Sequence, residues 1–260
     1  MTVLSAKRLN KRYGDMLVLD NVAFEVEQGE FVTLVGPSGC GKSTFLKLLL
    51  GIEPVSSGKL ELNGKPLSDE PGPDRGIVFQ RYSVFSHLTV LKNVMFHGDI
   101  QKGSVIGRSL GGKGRKIREE ATRILTEVGL GNELQKYPHE LSGGMQQRLA
   151  IAQALVAKPE ILLLDEPFGA LDPGIRKDMR NLLTRLWQET GVTIFMVTHD
   201  VKEAFDLGTR VWVFDKKRHD PQAPNAYGAT ITYDIRLNRP DELENRHAYE
   251  AITASMKRGV

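Results

Sequence analysis

An α/β fold is what this 260-residue sequence predicts: a mostly parallel sheet core with an N-terminal antiparallel β part and an inserted α-helical subdomain. Three observations carry that expectation. Phe31–Val35, Ile161–Leu164 and Thr193–Val197 are short apolar runs, the pattern of strands covered on both faces. Between the last two, Met179, Leu182, Leu183 and Leu186 recur at helical spacing within Asp178–Thr190. Strands that alternate with helices in this way imply a parallel sheet with helices on its faces. The third observation is that Ser83 to Ala157 contains little that resembles a strand, and its periodic stretches, Arg118–Val128 and Gly143–Val156, are helical.

In chain order, Thr2–Lys7 and Val22–Val26 alternate apolar and polar residues as half-buried strands do. Phe31–Val35 follows, then the glycine loop Gly36–Gly41 and a helical Lys42–Leu50 stopped by Gly51. Gln101–Lys116 is rich in Gly, Lys, Arg and Ser, which predicts a solvated, mobile loop. Val211–Phe214 has strand length. The polar stretch Lys216–Gly228 holds Pro221 and Pro224, and a strand over Thr230–Ile235 and a helix over Asp241–Met256 are expected after it. The expected division is a domain over 1–220, with its helical subdomain at about 83–157, and a short C-terminal extension over 221–260.

Composition narrows the classes of function. The 35 basic and 32 acidic side chains leave a formal charge of +3, whereas a chain that wraps nucleic acid calls for a clustered excess of Lys and Arg. The single cysteine, Cys40, excludes an intrachain disulfide and fits a reducing compartment. The opening Met1-Thr-Val-Leu-Ser-Ala-Lys-Arg8 has no apolar core of the secretory kind. No run approaches the roughly 18 apolar residues of a membrane span. The expectation is a soluble chain whose role at a membrane, if any, comes through a partner.

The chemistry begins with Gly36-x-x-x-x-Gly41-Lys42-Ser43. Glycines let backbone N–H groups converge on oxyanions that bulkier side chains would block, and the following helix adds its positive end. Lys42 has the reach for β- and γ-phosphates, and Ser43 can ligate Mg²⁺. Asp165 and Glu166 end a strand of four aliphatic residues, which aims both at the edge where the loop lies. Asp165 is a candidate to hold Mg²⁺, directly or through water, and Glu166 to polarise an attacking water as general base.

The order of Gly36–Ser43, Gln80, Leu141-Ser-Gly-Gly-Met-Gln-Gln-Arg148, Ile161–Glu166, Leu171-Asp172 and His199 resembles the ATPase subunits of ABC transporters, over about residues 2 to 215. The resemblance implies a P-loop NTPase (RecA-like) core, with 1–220 as its nucleotide-binding domain. It implies that Tyr13 stacks on adenine, and that Gly36, Pro37, Ser38, Gly39, Cys40, Gly41, Lys42, Ser43 and Thr44 cradle the phosphates of ATP. A tyrosine ending a strand can also be merely half-buried. By the same resemblance Gln80 senses Mg²⁺ and the attacking water, His199 contacts the γ-phosphate, and Asp172 lies in the loop linking the two sites of a dimer. Ser142, Gly143 and Gly144 open a helix, a geometry suited to an anion. In the family they cap the γ-phosphate held by the other subunit, so hydrolysis needs a dimer. The catalytic set implied is Glu166, His199 and Gln80, and the metal set Ser43, Gln80 and Asp165. One departure is Gln153, where relatives usually carry Arg, with a loosened helix-surface contact as the expected effect.

The unfused chain with Asp165-Glu-Pro-Phe-Gly-Ala-Leu-Asp172 is similar to ATPases of the nitrate, sulfonate and taurine uptake group. Its tail, Phe214-Asp-Lys-Lys-Arg-His-Asp-Pro-Gln-Ala-Pro224, is similar to relatives accompanying urea-carboxylase pathways, where urea- or guanidine-like solutes are expected. The partners implied are a second ATPase subunit in a homodimer, transmembrane permease subunits and an external solute-binding protein, without nucleic acid. The place implied is the cytoplasmic face of the plasma membrane. Two alternatives stay open: a non-transport ABC protein acting on DNA or ribosomes, and a different P-loop enzyme such as a kinase.

Overall fold

The computed structural model describes residues 1–80, 83–101, 112–216, 222, 226–237, 249–250 and 252–254. The chain forms two compact units, Met1–Pro71 with Gly191–Val260, and Gly72–Thr190. The first unit opens with strands β1 (Thr2–Tyr13), β2 (Met16–Glu27) and β3 (Phe31–Val35), helix α1 (Lys42–Leu50), and strands β4 (Ser57–Leu62) and β5 (Lys65–Pro66). The second holds β6 (Arg75–Val78), helices α2 (Val90–Gln101), α3 (Gly112–Glu127) and α4 (Gly143–Leu155), strand β7 (Ile161–Asp165) and helix α5 (Pro173–Thr190). The chain then returns to the first unit with β8 (Thr193–Val197), α6 (Val201–Leu207), β9 (Arg210–Lys216) and β10 (Ala229–Arg236).

Within the first unit the strand order is β5-β4-β1-β2-β10-β9-β3-β8. β1 pairs antiparallel with β2 and β4, as alternation over Thr2–Lys7 and Val22–Val26 predicts. β3 lies parallel between β8 and β9. All five residues of β3 are buried, because the strand is covered on both sides. Phe45 of α1 packs among Phe24, Phe195, Trp212 and Phe214, with ring centroids 5.2 Å apart from Phe214 and 6.1 Å from Trp212. Val35, Val211 and Val213 meet Ala204 of α6 and Ile252 in a separate cluster.

β10 runs antiparallel to β9, with Ile235 opposite Val211. It is fixed there by Arg210, a buried cation whose guanidinium donates twice to Asp234, at 2.6 Å each, and once to Glu30 at 2.9 Å. The Trp212 indole N–H also donates to Asp234, at 2.9 Å. The strand expected over Thr230–Ile235 is therefore present and one residue longer at each end. Of the helix expected over Asp241–Met256, residues 249–250 and 252–254 are helical and the others lie outside the described residues.

In the second unit β6 and β7 form a parallel pair, Arg75 opposite Ile161 through Val78 opposite Leu164. Among the described residues between Ser83 and Ala157 there is no strand, as the sequence predicts. Leu91 and Val94 of α2, Ile117, Ala121 and Leu125 of α3, and Leu149 and Ile151 of α4 fill its interior.

Two expectations are corrected here. Gly112–Lys116, the end of the stretch expected as a mobile loop, is the first turn and a half of α3, while 102–111 lies outside the described residues. The apolar stripe Ile117, Ala121 and Leu125 gives that helix a face to bury, and the Arg115–Glu119 pair at i,i+4 spans its start. Gln153 is not on a helix surface. It is 3% exposed, and its amide donates to Asn93 Oδ1 at 3.2 Å, tying α4 to α2.

Candidate functional site

The phosphate loop leaves the C-terminal end of β3 and feeds α1, the strand–loop–helix context its glycines require. Gly36, Gly39 and Gly41 take φ of 154°, 77° and 96°. A Cβ on Gly36 would lie 2.1 Å from the Phe214 carbonyl oxygen, so the loop can pass β9 only with glycine there. Lys42 is 5% exposed. Its ammonium donates to the carbonyls of Gly36 at 2.7 Å and Pro37 at 2.8 Å, and lies 3.7 Å from Cys40 Sγ. Burial pushes the Cys40 thiol above its ordinary range, and the Lys42 charge pulls the other way. Cys40 is thus a buried part of the loop's packing. Ser43 is exposed on the first turn of α1, and Thr44 follows it.

Tyr13 ends β1 and is 38% exposed, opposite Met16 in the antiparallel register. Burial, then the Glu53 carboxylate, raises its hydroxyl pKa, while Lys11 and Thr44 act in the opposite sense. His199 is exposed two residues after β8. Because β3 and β8 are parallel, the phosphate loop and His199 leave the sheet at the same edge, the carboxyl end where ligands of open α/β sheets bind. Thr198 holds this corner, donating to Glu203 Oε2 at 2.6 Å and accepting from the Asp200 N–H at 3.1 Å. Asp200 in turn caps α6 through the Glu203 N–H.

In the second unit Asp165 ends β7, and Glu166 follows with φ 49°, a left-handed conformation uncommon for a non-glycine residue. Gln80 lies two residues past the end of β6, which is parallel to β7, so both side chains emerge at one edge. The Gln80 amide donates to Glu166 Oε2 at 3.0 Å. Glu166 O accepts from the Gly169 N–H at 3.2 Å, closing a turn that leads to Leu171 and the exposed Asp172. Asp172 precedes Pro173, which opens α5 in the position where a missing N–H costs least.

Ser142 caps α4, its hydroxyl accepting from the Met145 N–H at 3.4 Å. Gly143 meets nothing where a Cβ would stand, whereas a Cβ on Gly144 would lie 2.6 Å from Ile175 Cγ2 of α5. Arg148 donates to the Val128 carbonyl at 2.8 Å, just past the end of α3. The N-terminus of α4 therefore presents its N–H groups from a helix anchored to both neighbours, a geometry suited to an anion.

A model of the ABC transporter family matches residues 19–169. The chain belongs to that family. It is 44% identical over 249 residues to the sulfate/thiosulfate import ATP-binding protein CysA of Mycobacterium tuberculosis, covering 90% of this chain and 68% of that protein. It is 40% identical over 245 residues to the nitrate import ATP-binding protein NrtD of Synechocystis, covering 94% and 84%. Among solved structures, the dimeric structure of a bacterial ABC transporter cassette matches with a TM-score of 0.71 at 30% identity, covering 90% of this chain and 99% of that one.

In this ABC-type ATPase each unit gathers part of the expected set. Tyr13, the loop Gly36–Thr44 and His199 belong to the first; Gln80, Ser142–Gly144, Asp165, Glu166 and Asp172 belong to the second. Lys11 and Glu53, which flank Tyr13, are absent from the expected set. The one sequence signal for Lys11 is its place two residues before Tyr13 on a strand, which puts both on one face.

Proposed function

We propose that the chain is the ATP-hydrolysing subunit of an importer, working as a dimer coupled to separate permease subunits and an external solute-binding protein. The observation that carries this reading is the 40–44% identity, over most of the chain, to proteins named for sulfate/thiosulfate and nitrate import. Among the described residues no helix is long and apolar enough to cross a membrane, so passage of the solute falls to a partner. The place proposed is the cytoplasmic face of the membrane, held there by the permease.

The donor set fits the substrate. In the first unit, loop N–H groups, the N-terminus of α1 and the Lys42 ammonium offer positive charge to phosphates. Lys42 exchanges its carbonyl partners for phosphate oxygens, and Tyr13 offers its ring to adenine. His199 donates toward the γ-phosphate. The groups proposed to hold Mg²⁺ are the Ser43 hydroxyl, the Asp165 carboxylate and the Gln80 amide oxygen; the ion, when bound, offsets charge on the phosphate oxygens. Among the described residues no cluster of three His, Cys, Asp or Glu forms an all-protein metal cage, which agrees with an ion held largely through substrate phosphates.

Glu166 accepts the proton of the attacking water, and Gln80, which already holds one of its oxygens, orients it. Ser142, Gly143 and Gly144 serve ATP held by the other subunit, which makes the monomer a poor catalyst. Asp172 lies in the segment that links the two sites.

The solutes proposed are small oxyanions of the nitrate, sulfonate or taurine kind; of these, nitrate is the one that a relative's name carries, beside the sulfate/thiosulfate of another. A urea- or guanidine-like solute is the second reading, favoured by the tail after Phe214, most of which lies outside the described residues. Affinity purification from membranes tests the function. Recovery of a polytopic permease supports import, whereas recovery of ribosomes or DNA in its place overturns it.

A further inference from the structure

The ring of Tyr13 is held by its surroundings. Lys11 is 4% exposed although it carries a charge. Its ammonium pairs with Glu53 Oε2 at 2.8 Å, donates to the Pro54 carbonyl at 2.9 Å and lies 4.7 Å from the centroid of the Tyr13 ring. A buried ammonium requires partners of this kind, and a cation over an aromatic face is attracted to it. Glu53 and Pro54 belong to the segment that leaves α1. Gly51 ends that helix, and the N–H groups of Ile52 and Glu53 donate to the Lys47 carbonyl at 3.1 and 3.4 Å. The same segment is stitched to β1: the Arg12 N–H donates to Ser56 Oγ and the Ser56 N–H to the Asn10 carbonyl, both at 2.9 Å. The helix that begins at the phosphate loop thus ends on the residues that fix Lys11, and Lys11 covers Tyr13.

We infer that Lys11 and Glu53 are positioning residues for the nucleobase: the ammonium occupies one face of the Tyr13 ring, leaving the other face to the base and tying the platform to the phosphate loop through α1. The inference rests on the reading of Tyr13 as the adenine platform. A cation on one face draws π density toward itself, which favours stacking of an electron-rich purine on the other. Neither side chain touches the substrate. The carboxyl of Glu53 is held below its ordinary range, first by its hydrogen bond from Lys11 and then, against desolvation, by Tyr13, as expected of three groups that act together.

Calorimetric titration of the full chain with ADP and with pyrophosphate, which lacks the base, tests this. The variants are Tyr13→Ala, Lys11→Met, Glu53→Gln and the double variant Tyr13→Ala/Lys11→Met. Lys11→Met and Glu53→Gln are expected to weaken ADP about threefold to fivefold and to leave pyrophosphate unchanged, and Lys11→Met to add nothing in the Tyr13→Ala background. Unchanged ADP affinity in both single variants, with Tyr13→Ala weakened, overturns the inference while the Tyr13 reading stands. Equal weakening of ADP and pyrophosphate also overturns it, since that marks a general structural effect. Unchanged ADP affinity in Tyr13→Ala overturns the platform reading itself. If Lys11→Met unfolds, Glu53→Gln, at a side chain 25% exposed, carries the test alone.

Discussion

Gln80 donates its amide to Glu166 Oε2 at 3.0 Å, joining the segment after β6 to the residue after β7. The two strands are parallel neighbours, so the contact is a property of the edge they share. It gives the proposed base an orienting partner.

Glu166→Gln keeps an acceptor for Gln80 but cannot take a proton. Phosphate release is expected to fall by about 10² to 10⁴-fold, with ATP binding and ATP-driven dimerisation preserved on gel filtration. Steady turnover in the purified variant contradicts the assignment.

Lys42→Ala removes a nearly buried ammonium from the loop. Two carbonyls lose their donor, a stability cost of about 1–2 kcal/mol. ATP affinity measured by calorimetry is expected to fall at least about tenfold, since charge-assisted contacts to phosphate are lost. Unaltered affinity removes Lys42 from the phosphate site.

Gly36→Ala tests the loop's passage over β9. With φ at 154° and the Phe214 oxygen 2.1 Å from the added methyl, backbone has to move. A loss of about 3 kcal/mol is expected, read as a lowered melting temperature together with weakened nucleotide binding. A melting temperature equal to that of the parent contradicts it.

Glu120 of α3 accepts from Arg123 at 2.8 Å and pairs with Lys158 at 3.1 Å. Arg123, and then Lys158, pull its carboxyl down to about 2. The folded state therefore holds the charged form more readily than the unfolded chain does. The resulting stability is complete above the ordinary carboxylate range and lost as pH falls through about 2. Glu120→Gln is expected to cost under about 1 kcal/mol at neutral pH, because the pair is partly exposed. Its urea midpoint should approach that of the parent as pH falls below about 4. A constant difference across that range contradicts the linkage.

What the sequence disclosed followed from how its elements are buried. β3, β7 and β8 are enclosed, so their composition alone marks them. β4 and β5 were not legible because they are short strands at the outer end of their sheet, with mostly exposed or half-exposed residues. β6 is hidden by Gly76, present because a Cβ there would meet the Ala154 carbonyl oxygen at 2.8 Å. The start of α3 looked like a loop since Gly, Lys and Arg dominate it, while the apolar stripe that defines it begins at Ile117. In the site, Lys42, Glu166 and Ser142 carry local signatures. The Lys11–Glu53 pair, 42 residues apart, does not, because only folding brings a strand end against the exit of α1.

Gly144 and Ile175 meet where α4 and α5 begin, and even a methyl on the glycine would press on the isoleucine. These two positions, far apart in the chain, are thus not free to drift independently. A larger residue at 144 requires the side chain at 175 to turn away or shrink, and where it does neither the start of a helix is displaced. Among homologous chains, departures from glycine at 144 are therefore expected to accompany a smaller side chain at 175, a co-variation set by this packing and separate from the role proposed for Gly144 toward phosphate.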